Sequence, residues 1–210
     1  MRKRKNLHYL IGTTAVIALL IGGFLVGNKA SSQTTVISFK NYPDRTFNVK
    51  EYIQGMQKGG RNLLIWRDPA VDLKKYAAVK VTDFGGRLLP EQTVFSYDQF
   101  IALFNSVFKS TLKLTREESP DALRIEGEVV ECNPGNRAAR YWVGFGAGKS
   151  GGGVVCEVYE PNASQPCIRI YTRGTASSGS FGGDSTLMLN HILSQVAVNL
   201  ATTLNTTLGH

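Results

Sequence analysis

The chain has 210 residues, 42% hydrophobic and 10% aromatic, with 24 Lys and Arg against 16 Asp and Glu, a balance that excludes a disordered chain and suits one ordinary domain. Of the net charge of +8, five units come from Arg2, Lys3, Arg4, Lys5 and Lys29, leaving 19 basic and 16 acidic side chains evenly mixed over the rest. No basic run interleaved with aromatics follows Lys29, which excludes the electrostatic footprint of a nucleic-acid partner.

Leu10 to Gly27 (LIGTTAVIALLIGGFLVG) is uncharged and, at about 1.5 Å rise per residue, long enough to cross most of a hydrocarbon core. The cations Arg2 to Lys5 in front of it are costly to translocate, so the N-terminus is expected to stay in the cytoplasm and everything after Gly27 to lie across the membrane. Asn28-Lys29-Ala30 lacks the small-x-small exit of a secretory peptide, which favours an uncleaved anchor over a cleaved, soluble product. Gly23 and Gly27 form a GxxxG, a spacing common in such spans without pairing. Residues 31–35 (SSQTT) have tether composition, giving a division into an anchor or signal peptide over 1–30, a linker over 31–45 and a globular domain over 46–210.

Thr46 to Lys58 spaces Val49, Tyr52, Ile53 and Met56 three or four apart and predicts a short helix stopped by Gly59-Gly60. Asn62 to Trp66 is an apolar run that fits a buried strand or a packing segment, and Ala77 to Asp83 alternates Val79 and Val81 with polar residues as a strand does. Ser96 offers a cap to a helix from Tyr97 to Lys113, whose Phe100, Leu103, Phe104, Val107, Phe108 and Leu112 share one face. Strands are predicted over 122–132, 153–160 and 167–175, the last two as a hairpin, and Asp184 caps a long helix ending near Gly209 with a second apolar stripe. The order β-α-β-β-β-α predicts an α+β fold: a mixed, mostly antiparallel sheet of about four strands with both helices on one face. The other face then carries Arg124, Glu126, Glu128, Arg169 and Arg173, which read as charged cross-strand pairs on a solvated surface or, less simply, as a ligand surface.

The three cysteines, Cys132, Cys156 and Cys167, contain no CxxC spacing; one bridge with one thiol left over, or three buried thiols, both fit. With only His8, His191 and His210 available, no metal site is expected.

The unusual stretch is 134–153 (PGNRAARYWVGFGAGKSGGG). Gly148-Lys149-Ser150 ends like a phosphate-binding loop, but the position five before Gly148 is Val143, and no helix is predicted after Ser150, so no nucleotide and no cofactor is expected. A dinucleotide fingerprint over Gly144-Phe145-Gly146-Ala147-Gly148 fails for the same lack of a helix. A turned loop fits the glycines, and Arg137, Arg140, Tyr141 and Trp142, with Gly144, Gly146 and Gly148, form the candidate interaction segment, since Arg and aromatics are the side chains most often energetic at interfaces.

The run Gly135-Asn136-Arg137-Ala138-Ala139-Arg140 followed by Val143 to Lys149, between strands holding Gly127-Glu128 and Val155 to Val158, resembles a family of uncharacterised bacterial envelope proteins, many of them predicted lipoproteins. Lys75 to Val81 is similar to that family's first strand, so the resemblance spans about residues 73–205. It implies no catalytic residues. With the leading cations and apolar span, a bacterial envelope setting places the domain on the periplasmic side of the cytoplasmic (inner) membrane; this chain lacks the lipid-modified cysteine, since none precedes Cys132. The element order also looks like small domains of periplasmic assembly factors and of activators of cell-wall synthases. No nucleophile with a base and no Gly-x-Ser-x-Gly elbow is present, so the expectation is a non-enzymatic interaction or assembly domain with envelope protein partners. The alternative is a small-ligand-binding or enzymatic domain.

Overall fold

In chain order the elements are the one-turn helix α1 (Val49–Tyr52), strands β1 (Gln57–Gly60), β2 (Leu63–Arg67) and β3 (Val79–Val81), helix α2 (Asp98–Thr111), strands β4 (Leu123–Asn133), β5 (Ser150–Tyr159) and β6 (Ile168–Ala176), and helix α3 (Ser185–Leu208). They come from a computed structural model that describes residues 36–91, 96–115, 117–134, 150–176 and 185–209. The strands make one sheet in the order β1-β2-β6-β5-β4-β3, antiparallel except where β3 runs parallel to β4. The α+β class, the mixed sheet and the β5–β6 hairpin agree with expectation; the sheet has six strands rather than about four.

Of the two extra strands, β2 falls on the apolar run Asn62 to Trp66 that fits a buried strand, and β1 begins inside the stretch expected to be a helix. Thr46 to Lys58 is not a helix: only α1 forms, capped by the Asn48 side chain on Glu51 N–H at 3.3 Å, and the chain leaves it through Gly55 at φ +75°. The apolar spacing is real, since Tyr52 is fully buried and Val49, Ile53 and Met56 pack around it, but one turn satisfies it. Gln57–Gly60 then pairs with β2 through a turn that includes Asn62 in the left-handed region (φ 58°), and β2 is zipped to β6 from Leu63↔Thr172 to Arg67↔Ile168.

The main core lies between the sheet and the two long helices. Phe100, Phe104 and Phe108 of α2 and Leu189, Ile192, Leu193, Val196, Leu200 and Leu204 of α3 are buried against Ile125, Val154, Cys156, Val158, Ile168 and Ile170. Ser96 contributes to the start of α2 by accepting Asp98 N–H at 3.3 Å, although the residue at the cap position is Tyr97. Two glycines set how near α3 comes: a Cβ on Gly152 would stand 2.8 Å from Leu193 Cδ2, and one on Gly174 2.9 Å from Ile192 Cγ2. Asn105 fixes α2 to the chain before β4, its amide bonding both Phe84 N–H and Phe84 O at 2.9 Å.

The opposite face is not a solvated surface. Residues 36–53 lie across it as a strap, whose Phe39 and Tyr52 form a second apolar cluster with Leu88, Val155 and Tyr171. Within the stretch read as linker, Ser38 and Phe39 are therefore buried. Residues 1–35, including the span expected at 10–27, lie outside the described residues, as does Asp184; among the described residues no helix is long and apolar enough to cross a membrane.

Candidate functional site

The face under the strap concentrates the buried charge of the protein. Glu157 and Arg169 are cross-strand partners in β5 and β6, flanked in the same row by Trp66 of β2 and Glu126 of β4. Glu157 is completely buried, and its carboxylate accepts four bonds. Ser38 Oγ (2.7 Å) and Tyr159 OH (2.5 Å) donate to Oε2, while Phe39 N–H (2.8 Å) and Tyr52 OH (3.0 Å) donate to Oε1. Burial raises the Glu157 carboxyl above its usual range against the downward pull of those donors, and it pushes the Tyr52 hydroxyl up as well. Arg169, 4% exposed, donates to Ile37 O and Tyr52 O at 3.0 Å and to Gln54 O at 3.3 Å, and lies over the rings of Tyr52 and Trp66. Burial lowers its pKa.

The remaining charged residues of this face are engaged in the same way. Arg87 bonds Phe39 O (3.1 Å) and Tyr42 O (2.9 Å) of the strap and pairs with Glu128 at 3.2 Å. Glu126 takes Lys40 of the strap at 2.5 Å and Arg124 at 3.0 Å. Glu128 and Arg169 are buried against the protein's own chain, while Arg124 and Glu126 are half-buried and pair with each other, Arg124 also reaching Ala163 O at 2.7 Å, so the expected solvated pairing is corrected at Glu128 and Arg169. Arg173 differs, forming a two-bond pair with Glu131 at 2.5 and 2.7 Å. Glu131 and Arg173 stand on β4 and β6 with Gly153 of β5 between them, and the missing side chain lets the two reach each other. A Cβ on Gly151 would collide with Glu131. The last three glycines of the Gly-rich run therefore have packing assignments, Gly151 and Gly153 to the ion pair and Gly152 to α3.

The candidate residues Arg137, Arg140, Tyr141, Trp142, Gly144, Gly146 and Gly148 lie outside the described residues. Their frame is described: Asn133 pairs with Gly151 and Ser150 with Ala176, and Ser150 Oγ bonds Pro134 O at 2.9 Å. The segment therefore leaves β4 and enters β5 at the same end of the sheet from which β6 runs on toward α3. Sequence reading missed Glu157 and the strap; the available signal was a lone acid in the apolar run Val154 to Tyr159 and a lone Arg in Cys167 to Tyr171.

Cys132, Cys156 and Cys167 are all buried free thiols, with burial pushing Cys132 up to about 12 and Cys167 to about 11. Among the described residues no group of three or more His, Cys, Asp or Glu is placed to hold a metal ion.

Residues 103–180, from α2 through β6, match a family model described as "Domain of unknown function (DUF4410)". The resemblance to an uncharacterised family thus has an independent counterpart over this segment. No curated protein matches the chain. Among solved structures it is similar to a PelC dodecamer from Paraburkholderia phytofirmans, at 14% identity over 67% of this chain and 96% of that one with a TM-score of 0.42. It is also similar to a candidate lipoprotein from Caulobacter crescentus CB15 (13% identity, 63% and 92% of the two chains, TM-score 0.38). A third is a DUF4136 family protein from Bacteroides thetaiotaomicron VPI-5482 (12%, 70% and 97%, TM-score 0.35).

Proposed function

We propose that the chain is a cell-envelope domain, held at the inner membrane through residues 10–27 with its C-terminal domain on the periplasmic side, that binds an envelope protein rather than catalysing a reaction. Arg137, Arg140, Tyr141 and Trp142 are the contact side chains, followed in the sequence by Gly144, Gly146 and Gly148. The observation that carries the reading is the engagement of the buried charge: Glu128, Glu157 and Arg169 each hold strap or neighbouring backbone, Glu131 holds Arg173, and the half-buried Glu126 is paired with Lys40. General acid or base chemistry needs a carboxyl that reaches a substrate proton, and these carboxyls meet their own chain instead. The leading cations and apolar span of the sequence supply the address.

A photocrosslinking residue placed at position 138 of the full-length protein in its native membranes should give a discrete protein adduct. In the same protein Arg140→Glu with Trp142→Ala should lower adduct recovery at least about tenfold, at unchanged Tm, as loss of two interface anchors does. Unchanged recovery contradicts the assignment.

A further inference from the structure

The two edges of the sheet are treated differently. On the β3 side the chain closes its own edge, with Val79 N–H donating to Thr115 O at 2.9 Å and Glu117 N–H to Val79 O at 3.0 Å. At the other edge β1 has β2 on its inner side and, among the described residues, no strand on its outer side. An open edge is a template for another strand, and proteins blunt it with shortness, bulges and lysine. β1 is four residues long, contains Lys58 and is bulged between Lys58 and Gly60, so it disfavours open-ended sheet growth while leaving room for one short strand.

A groove lies along each face of this edge. On the helix side, about 810 Å³ is bounded by Gln57, Gly59, Asn199, Thr203 and Thr206. On the strap side, about 360 Å³ is bounded by Lys58, Leu64, Tyr171 and Arg173. Side chains of a strand alternate between faces, so a segment pairing with β1 would set successive side chains into the two grooves while its backbone takes the free edge. The charged side chains lining the two grooves are basic. Neither groove is lined by an Asp or Glu; Arg67 borders the first, Lys58 and Arg173 the second, and Arg61 sits on the connecting turn. Among the described residues Lys58 and Arg61 have no ion-pair partner, whereas Arg173 is neutralised by Glu131.

We propose that β1 is a strand-addition site for an extended polypeptide segment of a partner protein that carries acidic side chains at alternate positions. The acids face Lys58 on the strap side, and small or hydroxyl side chains meet the Thr203 and Thr206 hydroxyls on the helix side. The test of this site uses other substitutions than those at Arg140 and Trp142 and is read independently of theirs.

The test uses the full-length protein in detergent and two capped hexapeptides bearing a neutral dye, one alternating Val and Glu, the other Val and Lys. The acidic peptide should bind, slow amide exchange at Gln57–Gly60, and bind at least about tenfold more tightly than the basic one. Lys58→Glu should weaken it by a similar factor, and so should Thr206→Trp, which fills the helix-side groove from an exposed position of α3, both at unchanged Tm. Equal binding of the two peptides, unchanged exchange at Gln57–Gly60, or indifference to both substitutions overturns the proposal. Slowed exchange there that grows with protein concentration in the absence of peptide makes the occupant a second copy of this chain, and overturns it too.

Discussion

Replacing Glu157 with Leu should cost about 3–5 kcal/mol of stability, because it leaves Ser38 Oγ, Tyr52 OH, Tyr159 OH and Phe39 N–H without their shared acceptor in a buried site and leaves Arg169 without the anion beside it. For a domain of this size that corresponds to a fall in Tm of about 10 °C. Glu157→Gln should be far milder, about 1 kcal/mol or less: the amide oxygen can serve Phe39 and Tyr52, and the Ser38 and Tyr159 hydroxyls can turn to accept from the amide nitrogen. Thermal melts of both variants check this, and equal losses would show that the carboxylate fills space rather than collecting donors. The pH dependence has a definite sign. The Glu157 pKa is raised in the folded protein, so between the ordinary carboxylate range and that raised value the folded state holds a proton the unfolded chain has released. Stability therefore falls as pH rises through that interval. Glu128 is shifted in the same direction, so Glu157→Gln should flatten the slope without abolishing it.

Gly127→Ala should be the most damaging single-methyl change in the sheet. A Cβ there would strike the Phe84 ring and the Val155 carbonyl oxygen, and neither can give way. Phe84 is fully buried, packed on the rings of Phe104 and Phe108 at 5.0 and 5.1 Å, and its backbone is clamped by Asn105. The Val155 carbonyl belongs to the central strand. Overpacking of this kind costs about 1–3 kcal/mol and more where backbone must move, so a loss of at least about 3 kcal/mol is expected by denaturant titration. Gly60→Ala is the matched control: the nearest atom to its Cβ is Leu63 Cβ at 4.0 Å, and a change within about 0.5 kcal/mol is expected. Similar losses for both would contradict the packing account.

What the sequence disclosed follows from the range of the forces involved. α2 and α3 were legible because their apolar stripes repeat along one helix, and the β5–β6 hairpin because two apolar runs flank the turn-like link Pro161 to Pro166. β1 was not, since Gln57, Lys58, Gly59 and Gly60 offer no apolar alternation and their strand state is imposed by β2. The strap was not, because Ser38 and Glu157 meet across 119 residues and a segment containing Pro43, Asp44 and Arg45 has linker composition. The Gly-rich run was legible only in part. Its end proved to serve packing at Gly151, Gly152 and Gly153, while the candidate contacts from Arg137 to Gly148 fall outside the described residues.

The domain is expected on the periplasmic side of the membrane. The full-length chain should be fused at its C-terminus, after His210, to alkaline phosphatase in one strain and to green fluorescent protein in another. The predicted result is an active phosphatase and a dark fluorescent fusion, both recovered with membranes. A bright fluorescent fusion with an inactive phosphatase would contradict it, and would remove the envelope setting on which the proposed partner depends.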